Sequence, residues 1–143
     1  MKLVVDASVA LSWLFERTNL EESQCSNQVL LAMENYEALV PDLFHIEIAN
    51  TLLVGERRKM VTEAKVIDYL NRLSELPIIT DNVSPLRRRD FTLVLGREYN
   101  LTAYDATYLE LALRTNAILA TFDKELAEAM RRAGGAVFNE KPS

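Results

Sequence analysis

The sequence predicts an α/β fold: a three-layer α/β/α sandwich built on a five-stranded parallel sheet. Three observations predict it. Five short apolar runs alternate with longer stretches of helical periodicity. Helix-start residues stand shortly after most of these runs, so the chain leaves each strand into a helix. The runs are joined through helical crossovers, the connection that builds parallel sheets covered on both faces.

Leu3 to Asp6 is the first strand, a β-branched run ending at a carboxylate, and Ser8 can cap a helix through about Phe15. A second helix is predicted from about Glu21 to Asn35, with Cys25, Val29, Leu30 and Met33 on one face. Ala38 to Val40, stopped by Pro41, is the second strand. Asp42 opens a long helix through about Lys59, and Thr62 caps another in which Val66, Ile67, Leu70 and Leu73 recur at helical spacing. Pro77 to Thr80 is the third strand. Ser84 followed by Pro85 starts a helix to about Tyr99, and Thr102 starts the next, to about Thr115. Ala117 to Thr121 is the fourth strand, Asp123 can cap a final helix ended by Gly134 and Gly135, and Ala136 to Phe138 is the fifth strand.

With 143 residues, 49% hydrophobic and 26% charged, the chain reads as one globular domain over 1–143 with one core. Its four Gly and four Pro are spread out and mark no linker or repeat. The apolar start, Leu3 to Phe15, is interrupted by Asp6 and lacks a small-residue cleavage pattern, so neither a signal peptide nor a membrane span is expected. A cytoplasmic location follows, and the single Cys25, which has no internal disulfide partner, reads as a buried inert thiol.

A net charge of -5 excludes a general nucleic-acid coat protein, which neutralises phosphates over a basic surface. A nuclease stays open, because bound divalent cations reverse the field of an acidic site. Arg57, Arg58 and Lys59, Arg87 to Arg89, and Arg131 with Arg132 form basic clusters, either solvated helix faces or substrate contacts.

Ligand sites in parallel sheets lie beyond the carboxyl ends of strands, which singles out Asp6 and Asp123 after strands one and four. Ser8 and Thr121 each stand two residues from one of these acids, an offset at which a hydroxyl can steady a carboxylate. Either acid can instead be a turn residue or a plain cap. Glu47 interrupts a largely apolar helix face, where burial demands pairing, protonation or a metal, unless it reaches solvent at a rim. Asn50, about one turn on, is its candidate partner. Asp105 fits a capping box begun by Thr102, and equally a carboxylate of the same crevice.

Four local strings resemble the signature blocks of VapC-type PIN domains. They are Val4-Val5-Asp6-Ala7-Ser8-Val9-Ala10, Pro41-Asp42-Leu43 leading to Glu47-Ile48-Ala49-Asn50, Leu101-Thr102-Ala103-Tyr104-Asp105-Ala106, and Leu119-Ala120-Thr121-Phe122-Asp123. The resemblance spans nearly the whole chain, with the blocks in the family's order. It implies that Asp6, Glu47, Asp105 and Asp123 are the catalytic and metal-binding quartet, with Ser8 and Thr121 as supporting hydroxyls. It also implies sheet order 3-2-1-4-5, an Mg²⁺ or Mn²⁺ cofactor, RNA as substrate, a homodimer, and a VapB-like antitoxin that occludes the site.

The chemistry agrees with those residue types. Crowded carboxylates repel one another until a proton or a cation neutralises them, and hard divalent cations take oxygen ligands while keeping several waters. His45 is the only histidine and Cys25 the only cysteine, which disfavours zinc and a histidine-based, metal-free ribonuclease. The expected reaction is hydrolysis of an RNA phosphodiester by metal-activated water, leaving 5′-phosphate and 3′-hydroxyl ends, with one or two metals.

Trp13, Leu14 and Phe15 with Leu52, Leu53 and Val54 are candidates for an apolar groove that takes an antitoxin helix or a second copy, or else for core. Two other functions compete. One is a PIN-like module that binds RNA or protein without catalysis. The other is a phosphoryl-handling receiver or haloacid-dehalogenase-like domain using Asp6, Asp81, Thr121 and Lys141. The latter pattern wants a second acid where this chain has Ser8.

Overall fold

In the computed structural model, which describes residues 1–15 and 17–139, the central strand β1 (Lys2–Val5) presents Leu3, Val4 and Val5 without any exposed surface. An unbroken apolar run suits a strand covered on both faces. Asp6 follows and caps α1 (Ala7–Leu11), accepting the Ser8 backbone N–H. Ser8 was the expected cap. The acid takes that place because it stands in extended backbone directly before the first helical residue.

Helix α1 ends at Leu11 rather than near Phe15. Ser12 is its C-cap, the Ser12 hydroxyl turns back to the Val9 carbonyl and meets Ser26 Oγ at 2.6 Å, and the Trp13 indole N–H donates to Ser26 O at 3.1 Å. These side-chain bonds compete with continued helix and turn the chain toward α2 (Leu20–Ala32), which Asn19 caps.

The remaining elements follow in the expected order: β2 (Glu37–Val40), α3 (Leu43–Arg57), α4 (Glu63–Glu75), β3 (Ile78–Thr80), α5 (Pro85–Tyr99), α6 (Ala103–Thr115), β4 (Ile118–Ala120) and α7 (Lys124–Arg132). Thr62, Ser84, Thr102 and Asp123 cap α4, α5, α6 and α7, each through its side-chain oxygen. Asn100 and Asn116 end α5 and α6 in the left-handed conformation, which asparagine tolerates.

Among the described residues the sheet has four strands, all parallel, in the order β3-β2-β1-β4. The expected fifth strand, Ala136 to Phe138, is reduced to one parallel bridge between Leu119 and Val137. Two backbone bonds hold it, from Leu119 N–H to Ala136 O and from Phe138 N–H to Leu119 O, and then Asn139 takes a positive φ of 67°. The segment keeps the predicted place beside β4 but is too short to run as a ladder.

The chain passes from β1 through β2 to β3 and returns through α5 and α6 to β4 on the other side of β1; with the right-handed crossovers that parallel strands take, this puts helices on both faces. The direction of winding reverses beside β1. The crevice beyond the carboxyl ends of β1 and β4 is therefore the topological switch point, where open α/β sheets take ligands. Residues of both faces belong to one core cluster, with Phe44 and Ile48 of α3, Leu109 and Leu111 of α6, and Leu126 and Met130 of α7 meeting the strands. No helix among the described residues is long and apolar enough to cross a membrane.

Candidate active site

Asp6, which leaves β1 into the switch-point crevice, is 7% exposed. Its Oδ1 accepts the Ser8 backbone N–H at 3.3 Å, and its Oδ2 accepts both the Ser8 hydroxyl at 3.2 Å and the Thr121 hydroxyl at 2.6 Å. Thr121 in turn accepts the Asp123 backbone N–H at 3.0 Å, tying the start of α7 to the end of β1. Burial pushes the Asp6 carboxyl above its ordinary range, the bonds from Thr121 and Ser8 oppose that, and the charge of Asp123 adds to the rise.

Glu47, one turn into α3, is half-buried. Its Oε1 accepts the Tyr108 hydroxyl at 2.7 Å. Burial raises its pKa, the Tyr108 bond lowers it, and Asp6 raises it again. Burial and the bond to Glu47 push the Tyr108 phenol itself strongly upward, so it remains a hydrogen-bond donor.

Asp105 sits in the first turn of α6, where its backbone N–H donates to Thr102 Oγ1 at 3.2 Å. Its carboxyl is pushed up to about 6, first by burial and then by the charges of Asp123, Asp6, Glu47 and Glu125. Asp123 is exposed and caps α7 through a 2.8 Å bond from Leu126 N–H to its Oδ1.

All four carboxylates line one open cleft of about 420 Å³, together with Ser8, Leu11, Arg17, Thr51 and Phe122. Four separate stretches of chain bring them there, and the mutual charge effects on Asp6, Glu47 and Asp105 register the crowding.

Residues 3–131 match the PIN-domain family model. The chain belongs to the PIN-domain family. This PIN domain is 33% identical over 130 residues to Ribonuclease VapC3 from Pyrobaculum aerophilum, covering 90% of this chain and 94% of that protein. Among solved structures it is similar to PAE2754 from Pyrobaculum aerophilum, with TM-score 0.69 and 23% identity over 96% of this chain and 83% of that one. It is also similar to VapBC2 from Rickettsia felis bound to a DNA fragment from their promoter, with TM-score 0.65 and 15% identity over 99% and 100% of the two chains. A toxin-antitoxin complex from Klebsiella pneumoniae matches with TM-score 0.64 and 17% identity over the same shares. These structural likenesses establish the fold.

Among the described residues of the PIN domain, no three acidic, His or Cys side chains converge closely enough to hold a metal ion by themselves. The donor chemistry nevertheless fits a hard divalent cation. The cleft's acidic donors are oxygens, Asp6, Glu47 and Asp105 are each pushed toward protonation, first by burial and further by neighbouring carboxylates, and the space admits water. Mg²⁺ binds through one or two carboxylates and retains several waters, so it asks for no all-protein cage.

Several expectations need correction. Asn50 is exposed on α3 and absent from the cleft lining; among the described residues the hydroxyl that reaches Glu47 is Tyr108's. Tyr108 lies three residues after Asp105 on α6, so helical spacing was the available signal for it. Arg17 was also missed. It lines the cleft, with its Nε donating to Glu22 at 2.6 Å and its guanidinium 4.8 Å from the Phe122 ring. It lies in the connection between α1 and α2, where no periodicity points to it.

Asp81 is bonded to Arg114 and does not line the cleft, so the phosphoryl-handling reading loses its second acid. Lys141 lies outside the described residues. His45 is exposed, with Nε2 2.8 Å from Thr80 Oγ1, away from the carboxylates. Cys25 is half-buried rather than buried, and desolvation followed by the charge of Glu22 raises its thiol pKa, in keeping with an unreactive group. Of the basic clusters, Arg87 stacks 5.0 Å from the Phe91 ring, Arg88 pairs with Asp42 at 3.2 Å and Arg89 with Asp90 at 3.0 Å.

Proposed function

We propose that this PIN domain is a divalent-metal-dependent endoribonuclease, the toxin of a cytoplasmic toxin-antitoxin pair. The observation that carries the reading is the convergence of Asp6, Glu47, Asp105 and Asp123 on one cleft, with Asp6, Glu47 and Asp105 shifted toward protonation by burial and by one another. Such a group is unfavourable without a cation to neutralise it. The relative named Ribonuclease VapC3 and the toxin-antitoxin complexes among its structural neighbours support the substrate class and the partner.

Asp6, Asp105 and Asp123 would hold the principal ion, and Glu47 would complete the site or accept the proton of the attacking water. Mg²⁺ or Mn²⁺, when bound, supplies charge neutralisation and Lewis acidity for in-line hydrolysis of a phosphodiester. Ser8 and Thr121 hold both oxygens of Asp6 in a fixed orientation, which keeps one carboxylate preorganised before substrate arrives. Arg17, spread over Phe122 beside the acids, would offer its guanidinium to the phosphate.

The antitoxin has a site adjoining the cleft. A groove of about 360 Å³ lined by Phe15, Val54, Gly55, Met60 and Arg58 shares Ser8, Leu11, Arg17 and Thr51 with it. Of the six apolar candidates, Phe15 and Val54 line this groove, Trp13, Leu14 and Phe15 also pack against the core, Leu52 is buried and Leu53 is exposed on α3. An amphipathic segment in this groove could extend an Arg into the carboxylates. Exposed Ile46 and Leu53 on α3, with Leu86, Phe91 and Val94 on α5, are apolar surface that a second copy would cover in a homodimer.

The deciding experiment incubates the purified, antitoxin-free protein with total cellular RNA in Mg²⁺, Mn²⁺ or chelator, beside Asp6→Asn, and sequences the ends. Metal-dependent cuts with 5′-phosphate ends, lost in a folded Asp6→Asn, are expected. Cleavage that persists in chelator or in the variant, or none by the folded wild type, overturns the reading.

A further inference from the structure

Tyr108 is 1% exposed, and its hydroxyl spans from α6 to α3 to bond Glu47 Oε1 at 2.7 Å. A phenylalanine would fill the same space in this packed interior without carrying a polar atom that must be satisfied. The hydroxyl therefore calls for a function of its own, and Glu47 needs one of this kind. Glutamate has three rotatable side-chain bonds and loses considerable freedom when fixed, whereas the tyrosine ring has two and is already immobilised by burial. Helix α6 thus carries Asp105 into the cleft on one turn and holds Glu47 from the next.

We propose that Tyr108 is a positioning residue of this site: its hydroxyl pins Glu47 through Oε1 and so leaves Oε2 directed to the cation that the cleft takes. The inference rests on the metal-site reading above and goes beyond the acidic quartet. Loss of the hydroxyl frees Glu47 to rotate while the carboxylates themselves are all kept. Tyr108 touches neither substrate nor metal in this arrangement and acts only through Glu47, which makes the effects of the two side chains non-additive.

Mn²⁺ binding measured by titration calorimetry on the wild type, Tyr108→Phe, Glu47→Gln and the double variant tests this without reference to cleavage. Phe keeps the ring packing, and a melting curve for each protein separates a folding defect from a binding one. Tyr108→Phe is expected to weaken Mn²⁺ binding about 10- to 100-fold, the range for groups that orient metal ligands. The double variant is expected to bind no more weakly than Glu47→Gln alone. Wild-type affinity in Tyr108→Phe, or losses that multiply in the double variant, overturns the positioning role while leaving the metal site intact. Failure of the wild type to bind Mn²⁺ overturns the metal-site reading, and the inference falls with it.

Discussion

Asp105 shows how one residue can satisfy a local rule and a distant one at once. Its backbone N–H is capped by Thr102, as the capping-box spacing predicts, but its carboxyl lines the cleft among the other acids. That placement raises its pKa from 3.8 to about 6, so between these values the folded state holds more protons than the unfolded chain. The stability associated with protonated Asp105 is present in full below about pH 4 and is lost as pH rises through about 6. Asp6 and Glu47 are shifted in the same direction. In chelator, the melting temperature is therefore expected to fall between pH 5 and pH 7.5, and Asp105→Asn to flatten that slope. A melting temperature that rises over this interval in the metal-free protein would contradict the crowding of charge in the cleft. Saturating Mn²⁺ should restore much of the loss, because the ion binds the ionised folded form.

At the scale of elements, the site is assembled from helix beginnings. Asp6 caps α1, Asp123 caps α7, Asp105 lies in the first turn of α6 and Glu47 one turn inside α3. The positive end of each helix dipole favours carboxylates there, which offsets part of their mutual repulsion. The fit of α3 against the segment after α1 depends on Gly55. A Cβ at that position would lie 3.0 Å from Phe15 Cζ and 3.2 Å from Val61 Cγ1. Gly55→Val adds branches beyond that Cβ and is expected to cost about 1–3 kcal/mol by overpacking. A lower urea midpoint at unchanged slope would show it, and an unchanged midpoint would mean that Phe15 swings aside freely. Element boundaries were legible where caps are strong, as at Thr62, Ser84 and Thr102. They failed at α1 and at the fifth strand, where Ser12 and Ser26 interact across the fold and Asn139 turns the chain.

Over the whole molecule, the strands and the helices on both faces share one apolar cluster. One core predicts one cooperative unfolding transition, with coincident loss of helix and tryptophan signals. Leu119 is fully buried at the edge where β4 meets the Val137 bridge, and Leu119→Ala is expected to cost about 2–5 kcal/mol in that single transition. Separate transitions would argue for two folding units within residues 1–143.

The alternation of strands and helices and the parallel sheet could be read along the chain; strand ends singled out Asp6 and Asp123 and helix periodicity Glu47, whereas Asp105 read as a cap and joined them only through the resemblance to VapC-type PIN domains. Apolar periodicity, caps and strand-end position are properties of neighbours in sequence, and local chemistry is enough to reveal them. The winding of the sheet then brings positions 6, 47, 105 and 123 to one crevice, and only the folded arrangement assigns their neighbours. Tyr108 rather than Asn50 meets Glu47, Arg17 lies over Phe122 beside the acids, and Asp81 is drawn away to Arg114. Those contacts join residues far apart in the chain. Their geometry depends on how α3, α6 and the turn after α1 pack together, and no local pattern in the sequence encodes that packing.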